Sequence, residues 1–167
     1  MKWLKTILFM GAVLAASGCA PSIAVNHDYN PRVSFAAFRT YRWLAQPTPE
    51  TGGVQLPILD ARIKLAVDER FRAKGYEQAH APDFFVAYHV GARNRVNVTR
   101  WGYAYGRVSV TQHREGTLIL DVIDARSMRL VWSGYAQGAL DPGASTRERE
   151  QRLKQVVDKM LASFPPA

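Results

Sequence analysis

Gly116-Thr117-Leu118-Ile119-Leu120-Asp121-Val122-Ile123-Asp124, then Ala125-Arg126-Ser127, then Arg129-Leu130-Val131-Trp132-Ser133-Gly134-Tyr135-Ala136: two apolar runs of strand length are separated by a short turn. Asp124 is placed to start that turn by accepting backbone N–H groups beyond it. Consecutive strands joined by so short a connection pair antiparallel. The segment therefore predicts a hairpin, and its density of branched apolar residues marks it as buried.

Upstream, Phe84 to Val90 is apolar at both parities, as a central covered strand requires. The stretch after it changes character. Val96 and Val98 alternate with Arg95, Asn97, Thr99 and Trp101, and Val108 and Val110 alternate with Arg107, Ser109, Thr111 and His113. Gly102 to Gly106, containing Tyr103 and Tyr105, lies between them as a glycine-bounded turn. This predicts a separate hairpin with one inward face and one polar, basic face.

Two amphipathic helices flank the strands. After Pro57, residues Leu59, Ile63, Ala66, Val67 and Phe71 recur at helical spacing, with Asp60 and Lys64 as an i,i+4 pair and Lys74-Gly75 as the stop. Near the other end, Ser145-Thr146-Arg147-Glu148 reads as a capping box. Leu153, Val156, Val157, Met160, Leu161 and Phe164 form the stripe of that helix, with Glu148–Arg152 and Glu150–Lys154 as i,i+4 pairs on a solvated side. Strands over Ile23–Tyr29 and Thr40–Leu44 precede the first helix. The expected fold is an α+β two-layer sandwich, an antiparallel sheet of about six to seven strands with both helices on one face.

The first 22 residues read differently. Lys2 and Lys5 precede a short apolar run, Ile7 to Ala16, too short to span a bilayer. Leu14-Ala15-Ala16-Ser17-Gly18-Cys19 resembles the lipobox of bacterial lipoproteins, with Ala16 where leucine is usual. The resemblance implies removal of residues 1–18 and acylation (diacylglyceryl and palmitoyl-type chains) of Cys19, the only cysteine. Residues 19–22 would then be a lipidated tether and 23–167 a single periplasmic domain. Ala20 follows the cysteine where the inner-membrane retention pattern has Asp, which implies the outer membrane. Cleavage leaves 149 of 167 residues and lowers the net charge from +8 to +6. An apolar fraction of 47% and 18 aromatic residues suffice for a core.

Further segments carry a second likeness: Asp28-Tyr29, Phe38-Arg39-Thr40-Tyr41-Arg42-Trp43, Lys74-Gly75-Tyr76, Pro82-Asp83, Gly116-Thr117-Leu118, Leu130-Val131-Trp132-Ser133-Gly134 and Phe164-Pro165. In this order they resemble a family of bacterial lipoproteins named only as domain of unknown function 4136. The resemblance implies an envelope lipoprotein with an α+β domain, and implies no activity and no catalytic residues.

Groupings for catalysis are missing from the sequence. No Gly-x-Ser-x-Gly elbow or glycine-rich phosphate loop occurs, His27, His80, His89 and His113 are scattered, and Asp121 and Asp124 fall on opposite strand faces. No enzyme, metal or cofactor is expected. Residues 92–114 hold Arg93, Arg95, Arg100, Arg107 and Arg114 without one acid, beside Trp101, Tyr103 and Tyr105. Arginine with Trp and Tyr suits a partner surface, and equally an anionic bilayer. Arg93, Arg95, Trp101, Tyr103, Tyr105 and Arg107 are thus the candidate interaction surface. The leading expectation is an outer-membrane lipoprotein facing the periplasm, a non-enzymatic interaction or assembly module with an envelope protein partner and no nucleic acid. The alternatives are a domain binding lipid or an anionic small ligand between sheet and helices, and a cell-wall hydrolase using Asp83, Asp121 and Asp124.

Overall fold

The computed structural model describes residues 23–45, 57–101 and 107–166, with only the strand backbone described between 95 and 113. In chain order the elements are β1 (Ala24–Tyr29), a 3-10 turn (Phe35–Ala37), β2 (Thr40–Trp43), α1 (Pro57–Ala73), β3 (Glu77–Gln78), β4 (Phe84–Trp101), β5 (Arg107–Asp124), β6 (Leu130–Leu140) and α2 (Thr146–Leu161). Six strands form one sheet in the order β1-β6-β5-β4-β2-β3. The fold is α+β.

The helix limits follow from local chemistry. Gly75 adopts φ 85°, the left-handed region glycine enters without a Cβ penalty. That lets Tyr76 N–H reach Phe71 O and Gly75 N–H reach Arg72 O, a Schellman closure of α1. At α2, Ser145 Oγ accepts from Glu148 N–H at 3.3 Å while Glu148 Oε2 accepts from Ser145 N–H at 2.7 Å, the reciprocal capping box the sequence predicts.

The antiparallel expectation holds for β1–β6, β6–β5 and β5–β4 and fails at the other edge. There β2 runs parallel to both β3 and β4. The reason is the connection. Between β2 and β4 the chain passes through α1, and a helix of 17 residues returns the chain to the end where β2 began, as a parallel pair requires. The strands expected as two separate hairpins are also continuous. β4 and β5 are each 18 residues long and pair in unbroken register from Phe84↔Asp124 to Trp101↔Arg107. Gly91 and Gly116 stay within the ladder and end nothing.

Alternation along β4 and β5 sends Phe84, Val86, Tyr88, Leu118, Leu120 and Val122 to the face that the helices cover. They share one core with Ile63, Val67 and Phe71 of α1 and Val157, Met160 and Leu161 of α2. A register shift between Val122 and Ile123 adds a residue on β6, so Val131 and Trp132 are both buried. Phe164, just past α2, is fully buried, with ring centroids of Trp132 at 5.3 Å and Tyr76 at 5.6 Å. Lys74 Nζ donates to its carbonyl at 2.6 Å, and burial beside Arg70 pushes that ammonium's pKa down.

The charges on α2 do not form the expected pairs within the helix. Glu150 meets Arg62 at 3.1 Å, Lys154 meets Glu69 at 2.6 Å and Asp158 meets Arg70 at 3.7 Å. All three partners lie on α1, because the helices pack side by side and these positions flank their seam.

Candidate interaction surface

The body of the sheet covers only part of β4 and β5. β2 pairs with β4 from Phe84 to Val86, and β6 pairs with β5 from Arg114 to Ile123. Beyond those limits, among the described residues, β4 and β5 have only each other. They form a two-stranded ribbon that ends at Trp101 and Arg107. At about 3.3 Å per residue the two-stranded part, from Arg95 to Trp101, is about 20 Å long. The helix layer also stops short: Val90, on the helix side, is 51% exposed, and Leu140 of β6 is 43% exposed.

Arg93 stands at the root of the ribbon opposite Glu115, and its Nε lies 3.1 Å from Glu115 Oε2. Glu115 is 7% exposed, the one buried charged residue among those described. Arg95 lies opposite His113, and Trp101 opposite Arg107, at the last rung. Arg93, Arg95 and Trp101 on β4 and Arg107 on β5 therefore belong to one strand pair, while Tyr103, Tyr105 and the lipidation candidate Cys19 lie outside the described residues. Sequence reasoning missed Glu115. The register supplies the signal, since opposite charges directly across an antiparallel pair attract.

Among the described residues no element covers the sheet face away from the helices. Its rows run Arg42–Phe85–Ile123, Ala87–Asp121–Ser133–Asp28 and His89–Ile119–Tyr135–Asn26. The Arg42 guanidinium sits 5.2 Å from the Phe85 ring centroid. Ser133 Oγ donates to Asp121 Oδ1 at 2.6 Å, and His89 Nε2 is 3.7 Å from Asp121 Oδ2. The carboxylate stands between serine and histidine, so histidine cannot take the serine proton as a nucleophilic relay demands. His89 lies opposite Ile119 and His113 opposite Arg95, so the two histidines are not cross-strand neighbours.

Asp83 and Asp124 do come together, at the end of the sheet far from the ribbon. They border an open groove of about 440 Å³ with Phe38, Pro82 and Arg126. Each carboxylate is already bound. Asp83 Oδ2 accepts the N–H groups of Arg39 and Thr40 at 2.8 and 2.9 Å, which hold its pKa below the ordinary range. Asp124 Oδ1 accepts Ser127 N–H at 2.6 Å and Ser127 Oγ at 2.7 Å; burial opposes these bonds, and its pKa is nevertheless lowered. A general acid needs the opposite shift. Asp121 is on the sheet face away from the helices, three residues away.

On the helix side, Asp60 Oδ1 accepts the Tyr88 hydroxyl at 2.6 Å, and Asp68 Oδ1 accepts Tyr41 Oη at 2.7 Å and Trp43 Nε1 at 2.9 Å. These carboxylates pin α1 to β2 and β4. Among the described residues no three His, Cys, Asp or Glu side chains gather as a metal site, and no helix is long and apolar enough to cross a membrane. The layer between sheet and helices is filled by Trp132, Phe71, Phe84 and Phe164. A second open groove of about 380 Å³ lies on α1 along Ile58, Ala61 and Leu65.

The chain belongs to the family described as Domain of unknown function (DUF4136), whose model matches residues 25–166. No curated protein matches its sequence. Among solved structures it is similar to a PDZ domain protein from Parabacteroides distasonis, at 12% identity and TM-score 0.61, covering 87% of this chain. It spans 36% of the length of that protein. It is also similar to a PelC dodecamer from Paraburkholderia phytofirmans, at 14% identity and TM-score 0.50, covering 84% of this chain and 95% of that one. At such identities the likeness is one of fold.

Proposed function

We propose that this DUF4136 protein is an outer-membrane lipoprotein, anchored through Cys19, whose domain is a non-enzymatic interaction or assembly module facing the periplasm. The observation that carries the reading is the ribbon. A two-stranded β-ribbon standing outside its sheet is marginal in water, and its open edges and arginines suit contact with something else. The lipobox-like sequence ahead of Ile23 supplies the anchor. The likeness to a PelC that forms a dodecamer supports assembly as a use of this fold. The tethered carboxylates Asp83, Asp121 and Asp124 favour a module without hydrolytic chemistry.

Two measurements test it. Cys19→Ala should release the protein from the membrane fraction, and a chain that stays fully bound through a retained signal overturns the anchoring. A photo-reactive amino acid at Trp101 in living cells should give discrete adducts with an envelope component. Adducts from the α1 groove instead, with none from Trp101, would move the interaction surface to the helices.

A further inference from the structure

We infer that the β4–β5 ribbon docks on an anionic phospholipid surface, so that the protein meets its membrane at two places, the acylated Cys19 and the arginine-rich ribbon. The inference rests on the lipoprotein reading and names the surface that the ribbon touches.

Ala24, which opens β1, lies opposite Gln137; Gln137 lies opposite Thr117, and Thr117 opposite Gly91. A Cβ added to Gly138 would stand 3.7 Å from Ile23 Cγ1. The chain therefore enters the domain toward the ribbon end of the sheet, three rungs before β6 ends at Leu140. β1 then runs away from it to Tyr29, opposite Trp132.

Lengths convert this placement into a contact. From Cys19 to Ile23 the chain reaches roughly 15 Å when fully extended. β4 beyond Ala92, ending in the two-stranded ribbon, is about 30 Å long, and the sheet from Gly91 back to Phe84 about 20–25 Å. Both exceed the tether. Turning the ribbon away from a bilayer that holds Cys19 would push the body of the sheet into the headgroups. The remaining orientations lay the ribbon along the surface or dip it in.

Charge and residue type fit that contact. Residues 92–114 contain five arginines and no acid. Arg93 is partly neutralised by Glu115, and Arg114 is exposed. Guanidinium groups bind phosphate oxygens in pairs, and a surface of anionic lipid attracts each added cation. Two such ribbons repel each other, which disfavours pairing between copies through this element. Trp101, at the last rung, is of the type that settles at a membrane–water interface.

The test uses the full chain purified with its lipid and reconstituted into vesicles of phosphatidylethanolamine and phosphatidylglycerol carrying brominated acyl chains. Tryptophan quenching is read for the native chain, for Trp101→Phe, and for Arg95→Gln/Arg100→Gln/Arg107→Gln. The expected result is quenching that disappears in Trp101→Phe. In the triple variant it should weaken, as it should when phosphatidylcholine replaces phosphatidylglycerol. For the unacylated Cys19→Ser chain, partition onto phosphatidylglycerol vesicles should fall on the order of 100-fold in the triple variant. Quenching unchanged by Trp101→Phe, or equal on neutral and anionic vesicles, overturns the inference while leaving the anchor intact. An unquenched Trp101 that crosslinks to one protein in cells overturns it in favour of a protein partner. Mass spectrometry of the Cys19 peptide reads the anchor separately: a peptide without lipid overturns the lipoprotein reading, and the vesicle partition still decides the ribbon.

Discussion

Asp83 Oδ2 accepts the backbone N–H of Thr40 at 2.9 Å across 43 residues of sequence. The same oxygen takes Arg39 N–H at 2.8 Å and Thr40 Oγ1 at 3.0 Å. In return Asp83 N–H donates to Thr40 O at 2.9 Å. These bonds clamp the start of β2 to the start of β4, and so hold the parallel pair in which Tyr41 lies opposite Phe84.

Asp83→Ala should cost about 1–2 kcal/mol, the worth of charge-assisted bonds at a site partly open to water. Because the Arg39 and Thr40 N–H groups lower the folded pKa, this stability is present above the unfolded carboxyl value of about 3.9 and lost as pH falls through the folded one. Urea midpoints of native and Asp83→Ala chains should differ at pH 7 and converge below about pH 3. A difference that persists at low pH would show that the clamp does not depend on charge.

Gly134 and Gly116 should respond differently to alanine. A Cβ on Gly134 would stand 2.5 Å from Cη2 of Trp132, which is fully buried and has nowhere to go. Gly134→Ala should cost about 2–3 kcal/mol by overpacking. At Gly116 the same atom meets Leu140 Cδ2 at 2.7 Å, yet Leu140 is half-exposed and can swing out. Gly116→Ala should stay within about 1 kcal/mol, and chemical denaturation of both variants checks the contrast.

Tyr41, Tyr88 and Tyr76 should ionise late. Burial raises all three phenols, and the hydrogen bonds to Asp68 and Asp60 raise Tyr41 and Tyr88 further. A raised folded pKa gives stability that is complete below the unfolded value of about 10 and is lost as pH climbs toward the folded one. Absorbance at alkaline pH should show these tyrosines titrating together with unfolding. Asp68→Ala removes the acceptor of both the Tyr41 O–H and the Trp43 N–H, leaving Tyr41 Oη only the long bond it accepts from Gln78 Nε2, and should cost about 2–3 kcal/mol at neutral pH.

Met128 sits at φ 54° in the β5–β6 turn, and its side chain is exposed. A non-glycine residue there bears a steric cost that removing Cβ relieves. Met128→Gly should raise stability by about 0.5–1 kcal/mol, net of the glycine's greater unfolded freedom. A thermal midpoint that falls instead would mean that the side chain has a packing role.

Much of this was legible in the chain. Ile63, Val67 and Phe71 line the core as their spacing predicts, as do Val157, Met160 and Leu161. Gly75 ends α1, Ser145 caps α2 and Asp124 makes its turn. The six candidate surface residues could be selected from composition, but composition does not show that the strands carrying Arg93, Arg95, Trp101 and Arg107 continue from the body of the sheet. The buried partner of Arg93, Glu115, falls one residue past the acid-free stretch and becomes meaningful only when register places it directly across.

Helix periods, caps and strand parity depend on neighbours within a few residues, so the order of amino acids alone decides them. The parallel edge at β2, the salt bridges from α2 to α1 and the entry of the chain toward the ribbon end of the sheet depend on which distant segments lie side by side. Those contacts are set by packing of the whole core around Trp132 and Phe164, because the free energy of burying one face is shared among elements far apart in sequence. No local pattern records that sharing. It is decided when the layers close.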